Sequence, residues 1–287
     1  MAQSTTGMPT PLVDIAWLYE HLNDAQVVII DCRFALDDPD AGYQAYLEGH
    51  IPGAFYLGLD QDLSGVVEAH SGRHPLPTLE TLVAKLASLG IASDPATHVV
   101  TYDSSKGAFA ARLWWLLRYL GHTSAAVLDG GLLAWQTAEY PVSSTMPTAQ
   151  QPGQFMPNVQ ASWVVDRNDI LERQRQEGNF LVDARSPERF RGEQEPIDPI
   201  AGSIPGATNF FWQWNLDADG FFKPPAELDQ QWSKLSSLDN PVFYCGSGVT
   251  ACVNMLAQAT LGRPLPKLFV GGWSAWCSHK TGSEQST

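Results

Sequence analysis

The chain carries two copies of one pattern in the same order, and that repeat limits what it can fold into. Asp31-Cys32-Arg33 follows the apolar run from Val27 to Ile30, and Asp183-Ala184-Arg185 follows Phe180-Leu181-Val182. Ile51-Pro52-Gly53-Ala54 returns as Ile204-Pro205-Gly206-Ala207. Val99 to Asp103 returns as Pro241 to Cys245, and Gly130-Gly131-Leu132-Leu133-Ala134-Trp135 as Gly271-Gly272-Trp273-Ser274-Ala275-Trp276. The offset is 152 residues between Asp31 and Asp183 and 141 between Gly130 and Gly271, so one loop region differs in length between the halves. The spacing is far too long for a solenoid and reads as a duplicated domain. The expected boundaries are 10–142 for the first copy and 159–280 for the second. Between them, 143–158 holds Pro147, Pro152, Gly153 and Pro157 among polar residues and reads as a linker.

Within each half, short β-branched runs alternate with helical patterns. Val27 to Asp31, His98 to Tyr102 and Ala125 to Leu128 predict buried strands in the first copy. Phe180 to Asp183, Val242 to Tyr244 and Leu268 to Val270 predict them in the second. Phe109, Leu113, Leu116, Leu117 and Leu120 recur at helical spacing, and a helix is expected over 250–261. This alternation predicts an α/β fold: two domains, each a parallel sheet covered by helices. Ligands of such sheets sit beyond the carboxyl ends of the strands, where Asp103, Asp183, Arg185 and Cys245 fall.

Composition narrows the function. A net charge of −14 repels nucleic acid and anionic membrane surfaces, so neither is an expected partner. No apolar run reaches the roughly 18 residues of a membrane span. The segment from Met1 to Pro11 has neither the basic nor the apolar stretch of a secretory signal. Four cysteines without a CxxC pair build no disulfide framework and no zinc site. A reducing, cytoplasmic setting is the expectation.

Cys245 stands out among the four. It ends a strand and is followed by Gly246-Ser247-Gly248-Val249-Thr250, after which a helix opens. Glycines let such a loop curl so that successive N–H groups converge as an anion nest. The helix N-terminus adds partial positive charge. A thiol held there is expected to be acidified and nucleophilic. Ser247 and Thr250 offer further hydrogen bonds. The plainer alternative is a packed core cysteine, and that alternative suits Cys252, inside the predicted helix.

The run Cys245-Gly-Ser-Gly-Val-Thr, together with Gly49-His50-Ile51-Pro52-Gly53-Ala54, Arg112-Leu113-Trp114-Trp115 and both Gly-Gly…Trp endings, resembles the tandem rhodanese family. Within that family it is closest to the mercaptopyruvate-using branch, with thiosulfate sulfurtransferases as near relatives. The resemblance implies a silent first domain and a catalytic second one, and Asp103 stands where the first copy would need its cysteine. It implies a sulfurtransferase that moves a sulfane sulfur from a small-molecule donor through a persulfide on Cys245 to cyanide or to a thiol acceptor such as thioredoxin. No cofactor or metal is implied. Neutral Gly246 and Ser247, where thiosulfate enzymes carry basic residues, point to 3-mercaptopyruvate as donor.

By the same resemblance Arg185 and, second to it, Arg191 bind the donor carboxylate, while Gly246, Gly248, Val249 and Thr250 shape the anion nest. His50, Asp40 and Ser247 are implied as a hydrogen-bonded relay. For Arg185, Arg189 and Arg191 the alternative is ordinary ion pairing near Glu188 and Glu193. The stretch from Gln194 to Ile200 and the cluster Phe210-Phe211-Trp212-Trp214 are candidates to shape the cleft. Three rivals remain open on sequence: a thiosulfate-preferring enzyme, a non-enzymatic sulfur-relay module, and a cysteine phosphatase. The last would need an arginine where Ala251 stands.

Overall fold

The computed structural model describes Met8 and residues 11–94, 96–149, 151–175 and 180–281. The first copy folds as β1 (Leu12–Val13), α1 (Ile15–Glu20), β2 (Val27–Asp31), α2 (Ala41–Glu48), β3 (Phe55–Tyr56), α3 (Leu79–Ser88), β4 (His98–Tyr102), α4 (Ala110–Tyr119), β5 (Ala125–Leu128) and α5 (Gly131–Thr137). The second has β6 (Val164–Val165), α6 (Arg167–Gln174), β7 (Leu181–Asp183), α7 (Pro187–Arg191), β8 (Ala207–Asn209), α8 (Pro225–Trp232), β9 (Val242–Tyr244), α9 (Ala251–Thr260), β10 (Lys267–Phe269) and α10 (Gly272–Thr281).

Both sheets have five strands and one topology. The orders are β1-β5-β4-β2-β3 and β6-β10-β9-β7-β8. Every pairing within them is parallel, so the expected α/β class holds. The central strands are the apolar runs seen in the sequence. The edge strands β1, β3, β6 and β8 are two or three residues long, too short to show a period.

Three apolar clusters divide the interior. One fills the outer face of the first sheet around Leu18, Ile51 and Trp135, and another does so for the second around Ile204, Trp273 and Trp276. The third joins the two domains and contains α4 and α9. These helices pack on one another and are buried around their whole circumference from Ala110 to Leu117 and from Ala251 to Gln258. A helix apolar on all sides belongs at the centre of a larger body, and here it forms the seam between copies. The polar residues Arg112, Asn254 and Gln258 on this seam therefore need partners.

The segment 143–158 runs back along the first domain. Ser143 bridges to His50, the Gly153 N–H donates to the Ala87 carbonyl at 2.8 Å, and the Asn158 N–H donates to Leu120 at 2.8 Å. Among the described residues no helix is long and apolar enough to cross a membrane.

Candidate active site

The two equivalent loops, after β4 and after β9, sit at the N-termini of α4 and α9. In the first, the Asp103 side chain turns back into its own loop. Oδ1 accepts from the Ser105 and Gly107 N–H groups at 2.7 and 2.9 Å. Oδ2 accepts from Phe109 and Ala110 at 2.8 and 2.9 Å. The nest is filled by the chain's own carboxylate. Burial pushes this carboxyl up, and the four N–H groups pull the other way.

The second loop holds Cys245 instead, 2% exposed. Among the described residues, no acceptor takes the N–H groups from Gly246 to Thr250. The curl is fixed by glycine. Gly248 has φ +71°, and a Cβ there would lie 2.4 Å from the Val270 carbonyl oxygen. The Cys245 and Gly246 carbonyls point away from the sulfur and accept from the Trp273 and Ser274 N–H groups at 2.8 and 2.9 Å, capping α10. The other cysteines are poor nucleophiles. Burial pushes the thiols of Cys32 and Cys277 up, and that of Cys252 up to about 12.

The proton chain at this loop differs from the expected one. Ser247 Oγ lies 2.7 Å from Nδ1 of His74, and His74 Nε2 lies 3.3 Å from the Asp60 carboxylate, so the first domain reaches over to the second. Burial, then the nearby Arg112 and Arg73 charges, lower His74 to about 4. The ring is neutral at neutral pH. With Nε2–H facing Asp60, Nδ1 is the acceptor for the Ser247 hydroxyl. Phe34 packs edge-on to the ring at 6.5 Å. His50 and Asp40 are not in this chain. His50 is fully buried, stacked on Tyr46 at 4.0 Å, with its ring nitrogens at the Tyr46 and Thr145 carbonyls. Asp40 is an exposed residue at the start of α2. The histidine that pairs with Ser247 lies in an irregular loop whose counterpart in the second copy differs in length, so the repeat does not flag it.

The arginines also sort differently. Arg185 is 2% exposed and gives its donors to Asp183, Glu195 and the Gly202 carbonyl. Arg33 makes the equivalent bonds to Asp31 and the Gly49 carbonyl in the first copy. A device present in both halves braces the strand end and explains nothing special to one loop. Arg191 is exposed and paired with Glu193 at 2.7 Å. The guanidinium groups beside Gly246 of the Cys245 loop belong to Arg73 and Arg189. A Cβ on Gly246 would meet Arg73 Nη2 at 2.8 Å and the Arg189 nitrogens at 3.7 and 3.8 Å. Asp198 bonds both, and Glu195 also holds Arg189 at 2.6 Å. Thus 194–200 does enter the site, through Glu195, Ile197 and Asp198, whereas Phe210 stacks on Trp232 at 3.7 Å in the core. A cleft of about 340 Å³ lined by Phe34, Leu36, Asp60, Arg73, His74 and Ile197 opens between the domains here.

Known proteins carry the same plan. The family model for the rhodanese-like domain matches twice, at residues 14–138 and 167–279. The chain belongs to the rhodanese family. It is a two-domain sulfurtransferase. A Pseudomonas aeruginosa protein named "Probable 3-mercaptopyruvate sulfurtransferase" is 45% identical over 264 residues, covering 90% of this chain and 92% of that protein. The Arabidopsis thaliana "Thiosulfate/3-mercaptopyruvate sulfurtransferase 2" is 30% identical over 93% of this chain and 84% of its own. The structure of 3-mercaptopyruvate sulfurtransferase from Leishmania major superposes with a TM-score of 0.83 at 29% identity, covering 98% of this chain and 77% of that one.

Proposed function

We propose that the enzyme takes sulfur from 3-mercaptopyruvate onto Cys245 and passes it to a thiol or cyanide. The observation that carries this reading is the loop after Cys245, whose N–H groups from Gly246 to Thr250 find no acceptor among the described residues, joined to the Ser247–His74–Asp60 chain that ends on that loop. Arg189 and Arg73 hold the donor carboxylate, because their guanidinium nitrogens flank Gly246. The Cys245 thiolate attacks the donor sulfur. An S–S bond forms, the C–S bond breaks, and its electron pair passes to carbon, giving pyruvate enolate. The donor thiol's proton passes through Ser247 and neutral His74 and is returned to the enolate carbon. The products are pyruvate and a Cys245 persulfide anion cradled by the loop.

The proton chain favours this donor over thiosulfate, whose leaving group, sulfite, departs as a stable anion and needs no protonation at carbon. Parallel kinetics test it. The expected result is a higher kcat/KM for mercaptopyruvate, lowered by Ser247→Ala far more than the value for thiosulfate. Equal loss for both donors would refute the proton role.

A further inference from the structure

We propose that Arg112, on the first domain, is the buried counter-charge of the sulfur anion on Cys245, so that loading sulfur tightens the docking of the two domains. This rests on the persulfide reading above and adds a role for the domain that lacks the nucleophile.

Arg112 projects from α4 and has no exposed surface. Its Nη1 donates to the Gly248 carbonyl at 3.1 Å, inside the sulfur loop, and its Nη2 to the carbonyl of His74 at 3.3 Å. One guanidinium therefore grips both the loop that bears the nucleophile and the residue that serves its serine. The face of Trp115 lies 5.7 Å away, and Nε has no partner. The two acceptors its Nη groups reach are neutral carbonyls, with the Cys252 thiol alongside. A fully buried arginine normally sits on an anion, because carbonyls satisfy its protons but leave its charge uncompensated.

Two thiols bear on that charge, Cys252 first and Cys245 second. Cys252 donates to the same Gly248 carbonyl at 3.4 Å, and its thiol, pushed up to about 12, stays neutral. That leaves Cys245. The repeat supports the assignment. Arg112 lies 141 residues before Val253, the offset that relates Gly131 to Gly272, and Val253 is an apolar residue of α9. The cation exists only on the helix that faces the sulfur. In the other direction the Asp103 carboxylate is met by four N–H groups.

The attraction exists only while the domains are docked, since the cation and the sulfur belong to different copies. By linkage, whatever places negative charge on the sulfur favours docking, and docking favours the charged sulfur. Two derivatives of the full chain separate this from simple packing: the persulfide, and Cys245 S-methylthiolated to a neutral disulfide of similar size, each verified by mass spectrometry. The wild-type persulfide should melt on the order of 3 °C above the methylthiolated form. Arg112→Met should abolish that difference, and Arg112→Lys, which restores the charge, should restore most of it. If Arg112→Met does not fold, Arg112→Gln takes its place. A merely structural role would lower both melting points together and leave the difference intact, and that result overturns the proposal, as does an absent difference in the wild type. Failure of mercaptopyruvate to place sulfur on Cys245 at all would instead refute the functional reading.

Discussion

The loop after β4 and the loop after β9 share a strand, a turn, a helix and a Gly-Gly segment packed beneath them, yet they differ at the residue that opens each. Asp103 fills its nest with its own carboxylate, which takes four N–H groups. Cys245 offers one sulfur and leaves the N–H groups from Gly246 to Thr250 without acceptors among the described residues. One nest is closed by covalent attachment of its anion; the other leaves its N–H groups unpaired among the described residues, as the proposed persulfide anion requires. The surroundings follow the same division. His74, Arg73 and Arg112 all come from the first domain and all act on the second domain's loop. On the proposed reading, the domain that lacks Cys245 supplies half of the site.

Substitutions can break this comparison at graded points. The largest effect is expected from Cys245→Ser, which should reduce transfer from either donor to background while the variant still folds cooperatively. His74→Ala should come next, lowering kcat with mercaptopyruvate by roughly 10²–10⁴-fold, the span of general acid–base assistance, with a much smaller effect on thiosulfate turnover. Arg189→Ala should raise KM for mercaptopyruvate about 10–100-fold, as expected for a lost charged hydrogen bond of about 1.5–3 kcal/mol. Arg185→Ala and Arg33→Ala should behave alike in denaturant titrations: each leaves a buried aspartate unpaired, a loss of about 3–5 kcal/mol. A KM effect confined to Arg185→Ala would return that residue to the donor site.

Asp103→Ala should cost at least about 2 kcal/mol in the same titration by stranding buried donors, while activity per folded molecule persists. The smallest effect concerns pH. His74 falls from the ordinary histidine value to about 4 in the fold, so the unfolded chain binds the extra proton between those values. Its contribution to stability is complete above about 6.5 and is lost as pH falls toward 4. The acid limb of mercaptopyruvate turnover should lie near 4, and in His74→Ala it should disappear.

Much of this is legible in the repeat. Apolar runs marked the central strands because buried parallel strands need little alternation. The Cys-Gly-x-Gly loop was readable because glycine conformation and helix polarity are local properties. The relay and the donor arginines were not, because Ser247 meets His74 and Gly246 meets Arg73 across 173 residues of chain. The repeat holds a further signal. Arg185 looked functional after a strand end, but Arg33 occupies the same place in the first half. What recurs in both copies braces the fold; what occurs in one copy, such as Arg112 opposite Val253, is where chemistry is to be sought.

The most direct test of the two-loop account is peptide mass spectrometry of the Asp103→Cys variant after treatment with 3-mercaptopyruvate. The account predicts one added sulfur atom on the peptide containing Cys245 and none at the substituted position, which lacks the cleft, the serine–histidine chain and the buried arginine. Sulfur appearing equally at both positions, or at position 103 alone, would contradict it.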